Sequence, residues 1–553
     1  MRKFPARRLN ARRIATLGLA AALTAGGTAA LPATASANSS QLAMFQDGSE
    51  LVNAPAALAQ FRELGANAVR VVVRWSAIAP KPNSKKKPTF NANDPNAYPA
   101  AGWATYDNIV RAAAADHLTL DFTLSGGAPR WAEGSGIPTG NTPFFSWKPS
   151  AADYGQFVRA VGERYDGHFT PPGQSSPLPA VHFWAIYNEP NFGEDLGPQA
   201  IKGSTVSVAP MMYRGLISAA WKSLHATGHS RDTILIGEFA ARGLSGKVTK
   251  THPQGLPGDR GQTKPLLFIR TLYCVDNNYH QLRGRTAKAV GCPTNAAGSR
   301  RFRAQNPGLF NASGVSDHPY PVNGSPINDG GTDPNFAAFH DLGNFGRTFD
   351  RVNSVYGSHK HFPIYNTEYG YITRPPATPP PVYVSPAKAA FYINWAEYLS
   401  YKNPRVKSYM QYLLVDPPAS AGPYKGFASG LEFPNGKKKA TFFAYRMPFY
   451  MPKTSFSRSQ NVEVWGSVRP APFATLDGFG AQRAQIQLDS GSGFKTINTV
   501  TVKKGGYFDV HMKFPSSGTV RVQWTYPTSD SFLADPNVQG QTIDSRTFAI
   551  KVH

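Results

Sequence analysis

The chain is expected to fold as an α/β protein, a (β/α)8 TIM barrel followed by an all-β sandwich of immunoglobulin-like type. Three observations predict this. Eight strand-like runs alternate with helix-like segments between residues 41 and 448, the pattern of parallel strands joined by crossover helices. Beyond residue 452 the texture changes to short alternating runs separated by Gly- and Ser-rich turns. The 553 residues are 41% hydrophobic, 12% aromatic and only 17% charged, which excludes disorder, collagen and coiled coil.

Residues 1–37 read as an export signal outside the fold. Arg2, Lys3, Arg7, Arg8, Arg12 and Arg13 make a basic start. An Ala/Leu/Gly-rich run follows, then the small-residue cleavage site Ala35-Ser36-Ala37. Arg12-Arg13 hints at twin-arginine export. No later apolar run is long enough to span a membrane, so a secreted chain is expected.

The barrel is assigned to residues 38–452. Strands are expected at 41–47, 68–75, 118–124, 181–187, 233–237, 314–317, 363–367 and 406–413. Helices are expected at 54–64, 103–116, 151–165, 210–226, 265–275, 335–356, 386–401 and 440–448. The rival, a doubly wound sheet, would carry a Gly-rich phosphate turn after its first strand, and Asp47-Gly48-Ser49 is not one. The sandwich is assigned to residues 453–553, with runs at 460–468, 482–488, 496–502, 507–514 and 518–526 and no helical period between them.

The formal charge is +24, and without the six basic residues of the export segment it is +18. That favours anionic surroundings such as a cell-wall polymer. Lys85-Lys86-Lys87 and Lys437-Lys438-Lys439 are short and far apart, so they are expected as solvated loop faces, and nucleic acid is not expected as a partner. Cys274 and Cys292 are expected to form one disulfide, as suits an exported chain. Closing that loop contributes about 3 kcal/mol. A zinc site would need more ligands than these two and His280. Asp329-Gly330-Gly331-Thr332-Asp333 lacks the spacing of a known calcium loop. No metal and no cofactor is expected. Oligomeric state is left open.

In a barrel of this kind the chemistry sits where strands end. Two glutamates stand at such ends. Glu189 closes Phe183-Trp184-Ala185-Ile186-Tyr187-Asn188-Glu189-Pro190, and Glu368 closes Ile364-Tyr365-Asn366-Thr367-Glu368. They cap the fourth and seventh strands, across the barrel mouth from one another. Two convergent carboxylates suit acid/base work at an acetal: one protonates the leaving oxygen, the other attacks the anomeric carbon or activates water. Asn188 and Glu189 are adjacent, so strict strand alternation cannot aim both inward, and an irregular strand end before Pro190 is required.

At these residues the sequence resembles the retaining glycoside hydrolases of clan A. Asn188-Glu189-Pro190 is similar to the clan's signature on strand four, and Glu368 to its strand-seven nucleophile. Gly65-Ala66-Asn67-Ala68-Val69-Arg70 resembles the strand-two segment, and His318-Pro319-Tyr320 the strand-six motif. The resemblance covers roughly residues 41–452. It implies Glu189 as general acid/base and Glu368 as nucleophile in cleavage of a β-linked poly- or oligosaccharide. It implies Asn188 as a ligand of the sugar 2-hydroxyl and Arg70 as the cation that keeps Glu368 ionised. His318 and Tyr320 would orient the nucleophile and the sugar. Trp75 and Trp131 are expected to bind substrate, and Trp147, Phe192, Tyr369 and Tyr371 could stack on rings. Glu238, ending strand five, is expected to be a hydrogen-bonded carboxylate supporting the site. Two departures stand out. Strand three lacks the His usual in family 5, with Pro129-Arg130-Trp131 closer to family 39, and strand eight lacks its Trp. The alternative reading is a non-catalytic glycan- or cell-wall-binding protein on the same barrel.

Overall fold

A computed structural model describes residues 38–138, 146–200, 207–244, 257–321, 323–328, 331–377, 383–418, 427–531 and 533–553. The expected export segment, 1–37, and Asp329-Gly330 of the acidic loop lie outside the described residues. No helix among the described residues is long and apolar enough to cross a membrane.

Eight parallel strands close into a barrel in sequence order. They are β1 (Leu42–Gln46), β2 (Ala68–Arg74), β3 (Thr119–Ser125), β4 (Phe183–Ile186), β5 (Thr233–Ala240), β6 (Gly314–His318), β7 (Ile364–Asn366) and β8 (Val406–Tyr412). The ring closes where Leu42–Gln46 pairs with Ser408–Tyr412. The eight-strand expectation is met. Two strands differ by three residues: β4 is shorter than expected, and β5 runs further, past a register break between Gly237 and Phe239.

Strand alternation sends successive side chains into the barrel and out toward the helices. Phe183, Ala185 and Leu235, with Leu42 and Tyr365, form an apolar plug. Other buried side chains of the strands are polar: Arg70, Asp121, Thr123, Glu238 and Ser316. Helices cover the outside. The helix Leu342–Val355 buries Leu342, Phe345, Phe349 and Val352, a spacing of three and four that puts one apolar stripe on the barrel. Each such side chain stabilises by roughly 1.5–3 kcal/mol. Cys274 and Cys292 are joined as a disulfide with Cα atoms 5.6 Å apart.

The C-terminal region holds two sheets. One contains β9 (Phe449–Tyr450), β11 (Val462–Ser467) and β14 (Tyr507–Met512). The other contains β10 (Ser455–Phe456), β12 (Arg483–Asp489), β13 (Phe494–Thr501), β15 (Gly518–Thr525), β16 (Thr542–Asp544) and β17 (Phe548–Val552). Val462 and Val464 of the first sheet share an apolar cluster with Ile486, Val520, Val522 and Ile550 of the second. The absence of helix expected here is corrected: Ala471–Ala474 and Thr475–Phe479 are helical turns between β11 and β12. They carry Asp477, whose carboxylate accepts two hydrogen bonds from Arg62 of the barrel at 2.5 and 2.7 Å.

Barrel and sheets are joined through buried polar groups. Arg469 donates to Glu397 Oε2 and to the Tyr445 carbonyl, both at 2.6 Å, and the Tyr507 hydroxyl donates to Glu397 Oε1 at 2.9 Å. Gly65 permits the close approach: a Cβ there would stand 2.2 Å from the Arg469 carbonyl carbon. One expected solvated run is also corrected. Lys439 is buried, paired with Asp416, and donates to Thr373 Oγ1 at 2.8 Å. The chain has carried this ammonium inward because a carboxylate waits there.

Candidate active site

The site is built around Arg70. Its position on β2 points the side chain into the barrel, where it is wholly buried. Nε donates to Thr123 Oγ1 and Glu238 Oε1, both at 2.9 Å. Nη2 donates to Glu238 Oε2 at 2.6 Å and Asn188 Oδ1 at 2.7 Å. Nη1 donates to Gln46 Oε1 and Glu368 Oε1, both at 2.5 Å. One guanidinium thus ties strands one, two, three and five to the loops after strands four and seven. Burial works against its charge, but Glu238 and Glu368 outweigh burial and raise its pKa.

Glu238 reaches Arg70 because of the break in β5. Gly237 has φ +126° and Glu238 φ +54°. A Cβ at Gly237 would lie 2.3 Å from the Ser316 carbonyl oxygen, so glycine is required at this bend. The extra residue swings Glu238 inward. It forms the two-pronged pair with Arg70 that the strand-end position alone only hinted at.

The required irregular end of β4 is present. The strand stops at Ile186, and Tyr187 (φ +73°) and Glu189 (φ +35°) take left-handed backbone on either side of Asn188. The side chains of Asn188 and Glu189 therefore both reach the mouth. Non-glycine residues in this region are strained, and such strain is commonly held at functional positions.

Glu189 and Glu368 meet over His318. One oxygen of each carboxylate and a ring nitrogen of His318 all lie within 4.8 Å of one another. His318 Nδ1 stands 3.0 Å from Glu189 Oε1 and 3.6 Å from Glu368 Oε2. It is thus nearer the strand-four glutamate than the strand-seven one it was expected to orient. The Tyr320 hydroxyl donates to Glu368 Oε2 at 3.0 Å.

Burial and neighbouring charges both act on Glu368 and His318. Burial alone would raise the Glu368 carboxyl. The charges of His318 and Arg70 and the Tyr320 hydrogen bond more than reverse this, holding it below the usual carboxylate range. Burial opposes the charged form of His318, but Glu368 and the bond to Glu189 raise its pKa. The triad of Glu189, His318 and Glu368 offers metal-ligand atoms. Glu368, however, already accepts from Arg70 and Tyr320, one on each oxygen, which suits it to a nucleophile or base rather than to an ion.

A cleft of about 1360 Å³ opens above these groups, lined by Arg70, Asn188, Glu189, Tyr320 and Glu368. Of the aromatics expected to face substrate, Phe192 does line it. Trp75 and Trp131 are corrected: neither is among the lining residues. Trp75 is 1% exposed, stacked on Phe157 at 5.7 Å and edge-on to Trp131 at 5.9 Å. Trp131 is pinned by an indole hydrogen bond to the Pro80 carbonyl at 3.0 Å and by the Lys87 ammonium 5.3 Å from its ring. They build the wall behind the cleft. Trp147, Tyr369 and Tyr371 are buried too.

Sequence reasoning missed Tyr412 and Phe427, which line the cleft as an aromatic corner with Tyr320. Tyr320 and Phe427 rings are 4.7 Å apart, and Tyr412 and Phe427 5.6 Å apart. Tyr412 ends β8, where the resemblance implies a Trp, so the signal in the sequence is an aromatic of another kind at that strand end. Phe427 lies in a loop with no periodic signal. Asp195, also in the lining, was missed for the same reason.

No protein-family model matches the chain, and no curated protein matches it in sequence. Its shape is similar to several solved structures at low identity. One is a calcium-binding mutant of beta-glucuronidase 2 from Bacteroides uniformis, 8% identical, with 93% of this chain and 45% of that one covered and a TM-score of 0.36. The chain thus spans less than half the length of that protein. Another is a glucosidase from Croceicoccus marinus, 12% identical, with 86% and 94% covered and a TM-score of 0.45. A third is an endo-beta-1,4-mannanase from Thermotoga petrophila, 10% identical, with 93% and 98% covered and a TM-score of 0.35. Likeness at this level decides nothing about the reaction, which has to be argued from the side chains at the barrel mouth.

Proposed function

We propose that this chain is a retaining O-glycosyl hydrolase of clan A type, secreted and acting on a β-linked poly- or oligosaccharide. The observation that carries the reading is the closeness of the two carboxylates, with one oxygen of each inside the 4.8 Å triad around His318. Retaining enzymes hold their carboxyl groups about 5–5.5 Å apart, and inverting ones about 6.5–9.5 Å to admit a water. The spacing favours direct attack.

In this reading Glu368, kept ionised by Arg70 and His318, attacks the anomeric carbon. The leaving oxygen departs with a proton from Glu189, leaving a glycosyl ester on Glu368. Glu189 then takes a proton from water, which cleaves the ester and regenerates both groups. Arg70 and Tyr320 hold the attacking carboxylate, and Asn188 takes the hydroxyl beside the reacting carbon. The barrel that carries the site lies within residues 38–452, and the C-terminal sheets, whose first strand is already Phe449–Tyr450, are an immunoglobulin-like module bolted to it. The disulfide supports an oxidising, extracytoplasmic location. The charge of the chain favours retention on anionic wall polymer.

The test is kinetic. Glu368→Gln and Glu189→Gln each lower kcat on glycan by about 10⁴-fold or more. Azide restores turnover of an activated aryl glycoside in Glu189→Ala, because that substrate needs no acid for its first step. Near-normal turnover by Glu368→Gln would remove the reading and move a glycan-binding barrel ahead.

A further inference from the structure

The loop after β4 brings Asp195 back to the barrel mouth. The residue is 8% exposed, and it lines the cleft alongside Asn188, Glu189 and Glu368. Two hydrogen bonds fix its place. The Tyr187 hydroxyl donates to the Asp195 carbonyl at 2.9 Å. Asn188 Nδ2 donates to Asp195 Oδ1 at 3.2 Å. The Asn188 amide is thereby gripped at both ends, since its Oδ1 accepts from Arg70 at 2.7 Å.

This arrangement leaves two polar positions unspent. An amide nitrogen has two hydrogens, and one of Asn188's has no protein acceptor among the described residues. Oδ2 of Asp195 likewise has no protein donor among the described residues. Both belong to residues of the cleft wall, next to Glu189 in the chain or in space. Burial, with the neighbouring charge of Glu189, pushes the Asp195 carboxyl well above the ordinary range. A protonated carboxyl can donate as well as accept, which suits a hydroxyl partner.

We infer that Asp195 is a substrate-binding residue: with Asn188 it holds two neighbouring hydroxyls of the sugar ring whose glycosidic bond is cut. The inference rests on the glycosidase reading and deepens it. It restricts the substrate to rings that are unsubstituted at both positions. A ring lacking one hydroxyl, or acylated there, leaves a nearly buried polar group unpaired, and sites built this way reject such analogues strongly. It also makes Asp195 the partner that, with Arg70 at the other end, fixes the amide orientation of Asn188.

The experiment compares wild type, Asp195→Ala and Asp195→Asn on 4-nitrophenyl β-glycosides of gluco, galacto, manno and xylo configuration. The best-cleaved parent is then replaced by its 2-deoxy and 3-deoxy analogues. Wild type is expected to lose roughly 100-fold in kcat/KM on the analogue that lacks the hydroxyl facing Asp195. Asp195→Ala is expected to lose a similar factor on the parent and almost nothing more on that analogue, the non-additivity of two changes at one contact. Asp195→Asn, which keeps shape and a donor, falls between and guards against a folding defect in the alanine variant. Equal penalties for the deoxy analogues in wild type and both variants overturn the inference. Full kcat/KM of Asp195→Ala on the parent overturns this inference alone, whereas a wild type that cleaves neither these glycosides nor the corresponding aryl oligosaccharides and polysaccharides overturns the glycosidase reading with it.

Discussion

Two buried arginine–glutamate clusters, one at the barrel mouth and one where the barrel meets the C-terminal sheets, use similar parts to opposite ends. Arg70 with Glu368 and Arg469 with Glu397 are both ion pairs inside the protein, at 2.5 and 2.6 Å. Burial opposes both carboxylates, and in Glu397 it wins: Arg469 and the Tyr507 hydroxyl do not offset it, and the pKa is raised. In Glu368 it loses, because His318 adds its charge to that of Arg70 and Tyr320 adds a hydrogen bond. The difference is one extra cation and a cleft. The junction seals its carboxylate, with Arg469 also lying 4.2 Å over the Tyr445 ring, and makes it mortar. The mouth keeps its carboxylate charged and open to the cleft, as a nucleophile needs.

That comparison breaks most visibly when each arginine is removed. Arg70→Met is expected to lower kcat/KM by about 10³-fold or more and to destabilise by about 3–5 kcal/mol, since it strands Glu238 as well as freeing Glu368. Arg469→Met is expected to cost a similar 3–5 kcal/mol by leaving Glu397 buried alone, with kcat unchanged at temperatures where the variant is folded. Denaturation midpoints and kinetics on the same samples check both. A loss of kcat in folded Arg469→Met would erase the distinction. Replacing both partners, Arg469→Met with Glu397→Gln, recovers much of that stability, because no unpaired charge remains.

Tyr320→Phe sharpens the account of the mouth. It removes the hydroxyl bond to Glu368 Oε2, and kcat should fall about 10–100-fold with little change in the melting temperature. A drop in stability without a change in kcat would make Tyr320 a packing residue.

A third ion pair gives a pH signature. Asp416, paired with Lys439, has its carboxyl pushed up to about 6, burial outweighing the neighbouring ammonium. A carboxyl that binds its proton more tightly folded than unfolded stabilises the fold below its ordinary value, and that contribution fades as pH rises through about 6. The melting temperature of wild type should therefore carry a falling component between pH 3.8 and 6 that Asp416→Asn lacks. Parallel pH profiles would count against it. The smallest effect belongs to Trp131→Phe. Packed behind the cleft, the residue should cost about 1 kcal/mol when trimmed and leave kcat/KM within about twofold, measured by melting and by initial rates.

Much of this is legible in the sequence. The eight strand runs, their order and the glutamates at the ends of the fourth and seventh follow from periodicity and from where barrels place chemistry. So did the need for an irregular turn at Asn188, because two adjacent residues cannot both face inward on a regular strand. Trp75 and Trp131 went the other way. A tryptophan beside a strand end looks the same in sequence whether it faces sugar or Phe157, and only packing tells them apart. Lys439 looked like one of three solvated lysines, and Asp416, distant in sequence, reversed that.

The chain by itself determined what is local: the alternation of strand and helix, the change of texture near residue 452, and the residue types at the strand ends. These depend on side-chain periodicity and backbone preference over a few residues. The tertiary structure decided which charges share a space. Glu238 comes inward only because β5 breaks register at Gly237, and Asp195 meets Asn188 only because a loop folds back. Whether a buried glutamate has its pKa raised or lowered then depends on the cations within a few ångströms, a sum over neighbours far apart in sequence.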